Sequence, residues 1–236
     1  MKVVYPSAKE FASLISVLSN AVDEALFEFK EDGFQVRALD PSRVMFIKVT
    51  IPPDSFEEYN TNNEEIGVNL QFLSKVLKRA KKKDKIIFEF NDNMLKITLE
   101  GGSRRTFKTG VIDVQSEDID LPELEYTAHA IVDGKELFEA IKDVSLVSDA
   151  VRISVENEEL KISGSGSTSD VNITIDTAVE GEDVKSSYGI SYLMDIMKSL
   201  KNGEVTLHFG ENMPIQIEYE NGGGKTIVLL APRVEE

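Results

Sequence analysis

The chain of 236 residues contains no cysteine and only two histidines, His129 and His208. The absence of cysteine excludes a disulfide framework and a thiolate metal site, and it favours an intracellular location. Two histidines are too few for a histidine-rich metal site. No apolar run approaches the roughly 18 residues of a membrane span, and the N-terminus lacks the apolar region of a signal peptide. These absences predict a cytoplasmic protein with no membrane association.

The residues that are present predict a folded but strongly acidic protein. Hydrophobic residues make up 41 % of the chain, with 12 Phe and 6 Tyr, which is enough for a core and excludes a disordered chain. The 42 Asp and Glu outnumber the 26 Lys and Arg, which gives a formal charge of -16. Such acidity by itself argues against nucleic acid, because phosphates repel it. Basic residues therefore matter only if the fold gathers them on one surface.

Two kinds of hydrophobic periodicity alternate along the chain. Strand-like alternation occurs in seven stretches, at 86–90, 94–100, 151–156, 160–163, 171–176, 205–209 and 215–220. Helical periodicity occurs in four places only, at Ser7–Asn20, Asn69–Lys83, Gly134–Val147 and Gly189–Leu200. Many short strands with four helices predict an α+β fold with antiparallel sheets.

The order of these pieces repeats within the chain. The stretch "AKEFASLISVLSNAVDEA" from Ala8 matches "GKELFEAIKDVSLVSDAV" from Gly134, at an offset of 126 residues. Later, "FLSKVLKRAKKKDKIIFEF" from Phe72 matches "YLMDIMKSLKNGEVTLHF" from Tyr192. A duplicated half of about 110 residues explains the length. We therefore predict an N-terminal domain, a connecting loop and a C-terminal domain at 1–113, 114–127 and 128–236.

The predicted connecting loop is polar and acidic, but it contains the apolar residues Ile119, Leu121 and Leu124. Two interpretations remain open from the pattern alone. The apolar residues pin the loop onto a sheet, or they serve a binding function.

The most basic stretch of the chain is "LSKVLKRAKKKDK" at 73–85, with seven Lys or Arg and one Asp. Projected on a helix over Asn69–Lys83, its apolar residues share one face and a positive stripe forms the other. That stripe consists of Lys75, Lys78, Arg79 and Lys82. A solvated lysine-rich face is the plain alternative for a single helix of this kind.

The repeat strengthens the functional interpretation of the positive stripe. The other predicted helices offer Lys142, Lys198 with Lys201 just past the helix end, and Lys9 at a helix start. If all four helices line one surface, the cations collect there and suit a phosphate backbone without reading bases. The polar stripes have no aromatic residue on which single-stranded bases would stack, so duplex DNA is the better ligand.

No motif in the sequence demands catalysis or a cofactor. "NGGGKTI" at 221–227 lacks the first glycine of a phosphate-binding loop, because Tyr219 occupies that position, and a strand-like stretch follows it. The two histidines offer little as a base for a serine nucleophile. We therefore expect no enzyme and no cofactor or metal. The alternatives are a metal-dependent DNA-processing enzyme and a structural oligomer whose basic helix is only a solvated face.

Three segments resemble those of the sliding clamp proliferating cell nuclear antigen, and archaeal members look most similar. They are "LDPSRV" at 39–44, "IDLPELEY" at 119–126 and "LLAPRVEE" at 229–236. The resemblance implies two similar domains of antiparallel sheets with helices on one face, assembled as a three-subunit ring around duplex DNA. It implies a polymerase processivity factor in replication and repair, as a homotrimer or as a heterotrimer with paralogous subunits.

The resemblance also implies three sets of functional residues. Its DNA-facing cations correspond to Lys75, Lys78, Lys108, Lys142 and Lys198. A pocket for peptides of DNA polymerase, clamp loader, flap endonuclease and DNA ligase corresponds to Leu39, Val44, Phe46, Ile119, Leu121, Pro122, Tyr126, Gly189, Pro214, Leu229, Ala231 and Pro232. Subunits pair through edge strands near Arg105–Asp113 and Asp170–Ala178, with contacts at Arg105, Phe107, Lys108, Val111, Val171, Ile173, Thr174 and Ile175.

Overall fold

The computed structural model describes residues 1–114 and 123–233, which form two compact units. Within these ranges, the first unit contains residues 1–41, 47–114 and 220–226. The second unit contains residues 42–46, 123–219 and 227–233. Each unit therefore includes one short segment from the other half of the sequence.

The first unit contains three α-helices among the described residues, α1 (Ala8–Ile15), α2 (Leu18–Ala21) and α3 (Leu70–Leu77). Its strands are β1 (Lys2–Tyr5), β2 (Glu24–Lys30), β3 (Gly33–Leu39), β4 (Met45–Ile51), β5 (Glu58–Asn60), β6 (Glu64–Asn69), β7 (Lys85–Asn91), β8 (Met94–Glu100) and β9 (Arg104–Gly110). One sheet has the order β5-β1-β7-β8-β9, and a second group has the order β4-β3-β2-β6.

The second unit contains two α-helices among the described residues, α4 (Gly134–Val144) and α5 (Ile190–Leu200). Its strands are β10 (Ala128–Asp133), β11 (Ala150–Glu156), β12 (Glu159–Ser165), β13 (Asp170–Ile175), β14 (Val179–Gly181), β15 (Val184–Gly189), β16 (Glu204–Phe209), β17 (Ile215–Asn221) and β18 (Gly224–Leu230). Their sheet orders are β14-β10-β16-β17-β18 and β13-β12-β11-β15.

The two units repeat one order of elements. In the described residues each has a strand, a helical segment, five strands, a helix and three strands. The sheet orders correspond strand for strand, with β1 equivalent to β10 and β9 equivalent to β18. The predicted α+β class with two similar antiparallel domains is confirmed.

The helices form because capped starts coincide with apolar stripes. The side chain of Asn69 accepts a hydrogen bond from the backbone N–H of Phe72 at 2.8 Å, and Asp133 accepts from Lys135 and Glu136 at 2.9 and 3.0 Å. The buried residues of α3 are Leu70, Leu73, Val76 and Leu77. Its polar residues are consequently left on the outer face.

Phe11 of α1 ties its helix to both sheets of the first unit. Its ring centroid lies 5.2 Å from that of Phe88 on β7 and 5.8 Å from that of Phe34 on β3. All three rings are buried. Burying each such side chain stabilises the fold by about 1.5 to 3 kcal/mol, so these contacts hold α1 firmly in place.

Three predicted helices are shorter than their periodicity indicates. The segment Ser7–Asn20 is interrupted, because the backbone N–H of Ser16 bonds to Ser13 at 3.3 Å, and the Ser16 hydroxyl donates to the same carbonyl at 2.8 Å. The helix of Gly134–Val147 ends at Val144.

The basic helix predicted over Asn69–Lys83 ends at Leu77, so that prediction is wrong at its C-terminal end. A continued helix would place Lys78 beside Lys82 on one face, and like charges four residues apart destabilise a helix by about 0.2 to 0.5 kcal/mol per pair. Instead, short hydrogen-bonded turns follow, with the backbone N–H of Ala80 bonded to Leu77 at 2.9 Å.

Candidate nucleic-acid interface and partner-binding surface

The positive stripe predicted on one helix is divided between α3 and the loop that follows it. Lys75 lies on α3, Lys78 caps its C-terminal end, and Arg79 and Lys82 lie in the loop. All four side chains are exposed. Within residues 1–114 and 123–233, none of these four side chains forms an ion pair. The structure therefore leaves this positive charge available to an external anion.

A buried carboxylate holds the basic loop in one position. Asp84 is only 1 % exposed, and its Oδ2 accepts a hydrogen bond from the backbone N–H of Lys81 at 2.7 Å. The same oxygen pairs with the guanidinium of Arg105, which also donates to the carbonyl of Arg79 at 2.7 Å. The backbone N–H of Ala8 donates to the Asp84 carbonyl at 2.8 Å. Asp84 is the single acid in the basic run, and the local sequence pattern does not indicate this role.

The other predicted DNA-facing lysines differ in how far their charge is engaged. Lys9 on α1, Lys108 on β9 and Lys198 on α5 are exposed, and in the described parts of the chain none of them forms an ion pair. Lys142 on α4 is exposed but lies 3.1 Å from the carboxylate of Glu139. This exposed pair contributes little to stability, so Lys142 remains available to a phosphate.

Lys201 is the half-buried member of the predicted set. Its Nζ lies 4.7 Å from the ring centroid of Phe138, a cation–π contact between the end of α5 and α4. Such a contact is worth about 0.5 to 1 kcal/mol at a partly exposed site. Lys201 is therefore partly committed to the fold of the second unit.

The predicted assembly residues lie on strands at the ends of their sheets. β9 is the edge strand of the sheet β5-β1-β7-β8-β9. It contains Arg105, Phe107 and Lys108, and Val111 follows it. β13 is the edge strand of the four-stranded sheet β13-β12-β11-β15. It contains Val171, Ile173, Thr174 and Ile175. An unpaired edge presents backbone donors and acceptors to another chain.

The two edges also differ in the sign of their charge. β9 presents the exposed Arg104 and Lys108, whereas β13 begins at Asp170 and is followed by Asp176. Opposite charges on two unpaired edges favour pairing of one edge with the other over pairing of like with like.

Most of the predicted peptide-pocket residues belong to the second unit. Val44, Phe46, Tyr126, Gly189, Pro214, Leu229, Ala231 and Pro232 are in it, whereas the half-buried Leu39 belongs to the first unit. Phe46 and Leu229 are 7 % and 6 % exposed, and the others in the second unit are half-buried. Ile119, Leu121 and Pro122 lie outside the described residues.

Backbone hydrogen bonds place the C-terminal segment next to the loop that contains Val44. The backbone N–H of Ala231 donates to the carbonyl of Val44 at 2.9 Å. Two residues later, the N–H of Arg233 donates to the carbonyl of Ser187 on β15 at 2.7 Å. Residues from three separate parts of the sequence therefore meet in the second unit.

Tyr126 is the polar member of the predicted pocket residues in the second unit. Its buried hydroxyl has no hydrogen-bond partner within the described residues. Burial raises the pKa of this hydroxyl to about 12, and the negative charge of Glu218 adds to the effect. The hydroxyl therefore stays protonated and can act as a donor.

The two histidines lie together on the sheet of the second unit. Nδ1 of His129 is 2.7 Å from Nδ1 of His208, and Nε2 of His208 is 3.6 Å from a carboxylate oxygen of Glu218. Residues 1–114 and 123–233 contain no group of three His, Cys, Asp or Glu arranged to hold a metal ion. Within the same residues, no helix is long and apolar enough to span a membrane.

Comparisons with known proteins agree with this arrangement over nearly the whole chain. Residues 5–126 match the N-terminal domain of proliferating cell nuclear antigen, and residues 121–231 match the C-terminal domain of the DNA polymerase III beta subunit. The DNA polymerase sliding clamp of Thermococcus onnurineus is 44 % identical, over 100 % of this chain and 99 % of its own length. The chain belongs to the DNA sliding clamp family of proliferating cell nuclear antigen.

Solved structures of sliding clamps share the fold. That of proliferating cell nuclear antigen from Thermococcus kodakaraensis has a TM-score of 0.93 at 34 % identity, covering 98 % of this chain and 99 % of its own. A complex of two such proteins from Sulfolobus tokodaii gives a TM-score of 0.91 at 30 % identity over 100 % of both chains. The clamp from A. fulgidus, bound to the C-terminal region of FEN-1, has a TM-score of 0.89 at 28 % sequence identity, covering 100 % of this chain and 99 % of its own. The resemblance predicted from the three sequence segments is confirmed.

Proposed function

We propose that this sliding clamp encircles duplex DNA as a three-subunit ring and tethers replication and repair enzymes to it. The observation that carries the proposal is the basic segment, whose four cations are exposed while a buried Asp84 fixes the loop. In a chain with a net charge of -16, such a rigid positive surface suits a polyanion. The archaeal relatives named DNA polymerase sliding clamps support the same function.

DNA is held through its phosphates and not through its bases. Lys9, Lys75, Lys78, Arg79, Lys82, Lys108, Lys142, Lys198 and Lys201 form the DNA-facing set. Phosphate contacts carry no sequence information. Eight of these nine residues are lysines, which bind a phosphate as point charges, so the contacts break easily as the clamp moves. A closed ring retains DNA by topology, and tight contacts would only slow its sliding.

The ring closes by pairing β9 of one subunit with β13 of the next. Both are edge strands, and their opposite charges favour this pairing. The functional domains are 1–113 and 128–236, joined by a connecting loop at 114–127. The structure from Sulfolobus tokodaii is a complex of two different clamp chains, so a heterotrimer with paralogues is an alternative to a homotrimer.

Partner enzymes dock short peptides on the pocket residues named above. The clamp of A. fulgidus binds the C-terminal region of FEN-1, which supports this mode for a flap endonuclease, and by extension for DNA polymerase, clamp loader and ligase. The expected peptide resembles Gln-x-x-(aliphatic)-x-x-(aromatic)-(aromatic), whose aromatic anchors fill apolar pockets. Leu121 and Pro122 of the connecting loop contribute to this pocket.

The clamp acts without catalysis and without a cofactor, in the cytoplasm. The sliding clamp family consists of processivity factors, which supports the first point. The function is tested by loading the chain with a clamp loader onto nicked circular DNA. We expect a mass of three subunits by light scattering and retention on the circle that is lost when the DNA is linearised. Retention that survives linearisation, or metal-dependent cleavage by the purified chain, would contradict the proposal.

A further inference from the structure

A surface cavity of about 360 Å³ in the second unit shares one residue, Pro232, with the predicted peptide pocket. Its lining includes Arg152 of β11, Lys185 and Ser187 of β15, and Arg233 of the C-terminal segment. Three of these side chains are cationic, and Glu211 is the acidic side chain of the lining. In a protein of net charge -16, this is a local excess of positive charge.

The sheet register explains why these groups converge. Arg152 on β11 lies opposite Ser187 on β15, and Ser154 lies opposite Lys185. Because alternate residues of a strand share a face, Arg152, Ser187 and Lys185 project from the same side of the sheet. The hydrogen bond from the Arg233 N–H to the Ser187 carbonyl brings the C-terminal segment alongside this face.

Two of the three cations of the cavity, Lys185 and Arg233, are weakly engaged. Lys185 is exposed and forms no ion pair with any residue in the described ranges. Arg233 pairs with Asp149 at 2.9 Å, but the two side chains are 47 % and 82 % exposed. Such an exposed pair is weak and exchanges readily for another carboxylate.

The cavity continues from the predicted peptide pocket. Pro232, a pocket residue, also lines the cavity. Ser187 precedes Gly189 by two residues on the same face of β15, and Asn212, another lining residue, precedes Pro214 by two. A peptide docked on the pocket would therefore have its flanking residues near these cations.

We propose that the cavity is an anion subsite that receives an acidic side chain flanking the docked motif of a partner peptide. The inference rests on the proposed peptide-binding function of the pocket. A carboxylate suits the site because an arginine fork binds it through two parallel hydrogen bonds. A duplex suits it less, because Glu156, Asp183 and Glu211 line the adjoining depression and would repel a continuous row of phosphates.

The test uses five synthetic peptides with the same docking motif. One has neutral flanks, and the others have two glutamates or two lysines on either the N-terminal or the C-terminal side of the motif. Calorimetric titration should show that a glutamate-flanked peptide binds the wild-type clamp more tightly than the neutral peptide, by about two- to fivefold per ion pair formed. The lysine-flanked version should bind more weakly. The preference should shrink at high salt, because these charges are partly exposed.

Two variants and a matched control locate the effect. Lys185→Gln and Arg152→Gln should each reduce the glutamate preference while leaving the affinity of the neutral peptide unchanged. Lys135→Gln is the control, because Lys135 is an exposed lysine of α4 in the same unit and does not line the cavity. Lys185 is exposed, so its replacement tests the inference even if Arg152→Gln impairs folding.

Each outcome bears on one of the two proposals. A neutral peptide that binds with no preference for acidic flanks overturns the subsite and leaves the pocket intact. A neutral peptide that does not bind overturns the pocket and the subsite together. Loss of binding to a short DNA duplex in Lys185→Gln, with the peptide preference absent, would assign the cavity to phosphates and overturn the inference.

Discussion

The loops that follow α3 and α5 hold equivalent places in the two units, and their backbones are tied in the same way. In the first unit the N–H of Ala8 donates to the carbonyl of Asp84 at 2.8 Å. In the second unit the N–H of Gly134 donates to the carbonyl of Gly203, also at 2.8 Å. The two units therefore share this backbone hydrogen bond between the start of a helix and the equivalent loop.

The side chains of the two loops differ where the backbones agree. Asp84 supplies a buried carboxylate that binds Lys81 and Arg105, whereas Gly203 has no side chain. A Cβ at Gly134 would approach the Gly203 carbonyl oxygen to 2.6 Å, so the second loop is held by close backbone packing. The same scaffold holds a densely cationic loop in the first unit because the carboxylate of Asp84 anchors that loop.

The largest expected effect concerns β13, the edge strand of the second unit. Thr174→Pro removes a backbone donor in this strand and should abolish ring assembly, because proline interrupts strand pairing. Thr174→Ala is the matched control, since it removes the side chain and keeps the donor. Light scattering measures the mass of both variants. An oligomer of unchanged mass in Thr174→Pro would show that β13 is not the assembly edge.

Asp84→Ala breaks the anchor that distinguishes the first loop from the second. The change leaves Arg105, which is 24 % exposed, without its carboxylate, and we expect the free energy of unfolding to fall by about 3 kcal/mol. Urea denaturation measures the change. Asp54→Ala, which removes an exposed acid of the same unit, should stay within about 0.5 kcal/mol of wild type. Equal stabilities of the two variants would contradict the anchoring role.

The two units should contribute unequally to DNA binding. The slope of log affinity against log salt is negative. Its magnitude should fall by about 1.8 in the double variant Lys75→Gln/Lys78→Gln and by about 0.9 in Lys198→Gln, since each phosphate contact contributes about 0.9. Fluorescence anisotropy of a duplex over a salt series measures the slopes.

Lys161→Gln is the control for these slopes, because Lys161 lies on β12 of the second unit and is not a member of the DNA-facing set. Its slope should equal that of wild type. Equal slopes for the double variant and this control would show that the basic segment is a solvated surface that does not contact DNA.

The smallest effect is an acid sensitivity of the first unit. Glu64 accepts hydrogen bonds from the Thr61 hydroxyl at 2.6 Å and the Asn62 N–H at 2.7 Å. Burial opposes ionisation, but these bonds outweigh it and lower the pKa of Glu64 to about 2. The stability it contributes is therefore full above its ordinary pKa of 4.5 and is lost as the pH falls toward 2.

Glu64→Gln should accordingly be less stable than wild type at neutral pH and match it near about pH 2. Denaturant midpoints at several pH values measure the difference. The exposed Glu182 of the second unit supplies the control, because Glu182→Gln should follow wild type at every pH. A difference that stays constant down to low pH would contradict the role of Glu64.

The sequence patterns predicted the fold class and many strands correctly, but they predicted the ends of the helices less well. The alternation at 94–100 matches β8 (Met94–Glu100), because a half-buried strand needs apolar residues on one face only. Periodicity does not indicate strands such as β1 and β9. β9 alternates between exposed and half-buried residues in "RRTFKTG", which has little apolar contrast to detect.

The candidate site was only partly readable from the sequence. The cations were visible as a run of Lys and Arg, whereas their anchor Asp84 was not, because its partner Arg105 is distant in sequence. The convergence of Arg152, Lys185 and Arg233 was equally hidden. It depends on strand register and on one backbone hydrogen bond to Ser187.

By itself the sequence determined the duplication, the α+β class and the concentration of positive charge at 73–85. Periodicity, repeats and charge runs are local properties, so they survive without knowledge of contacts. Only the tertiary structure decided where α3 ends, which strands are sheet edges and which acid orders the basic loop. Those features depend on groups far apart in the chain, and their energies arise only when folding removes the groups from water and brings them together.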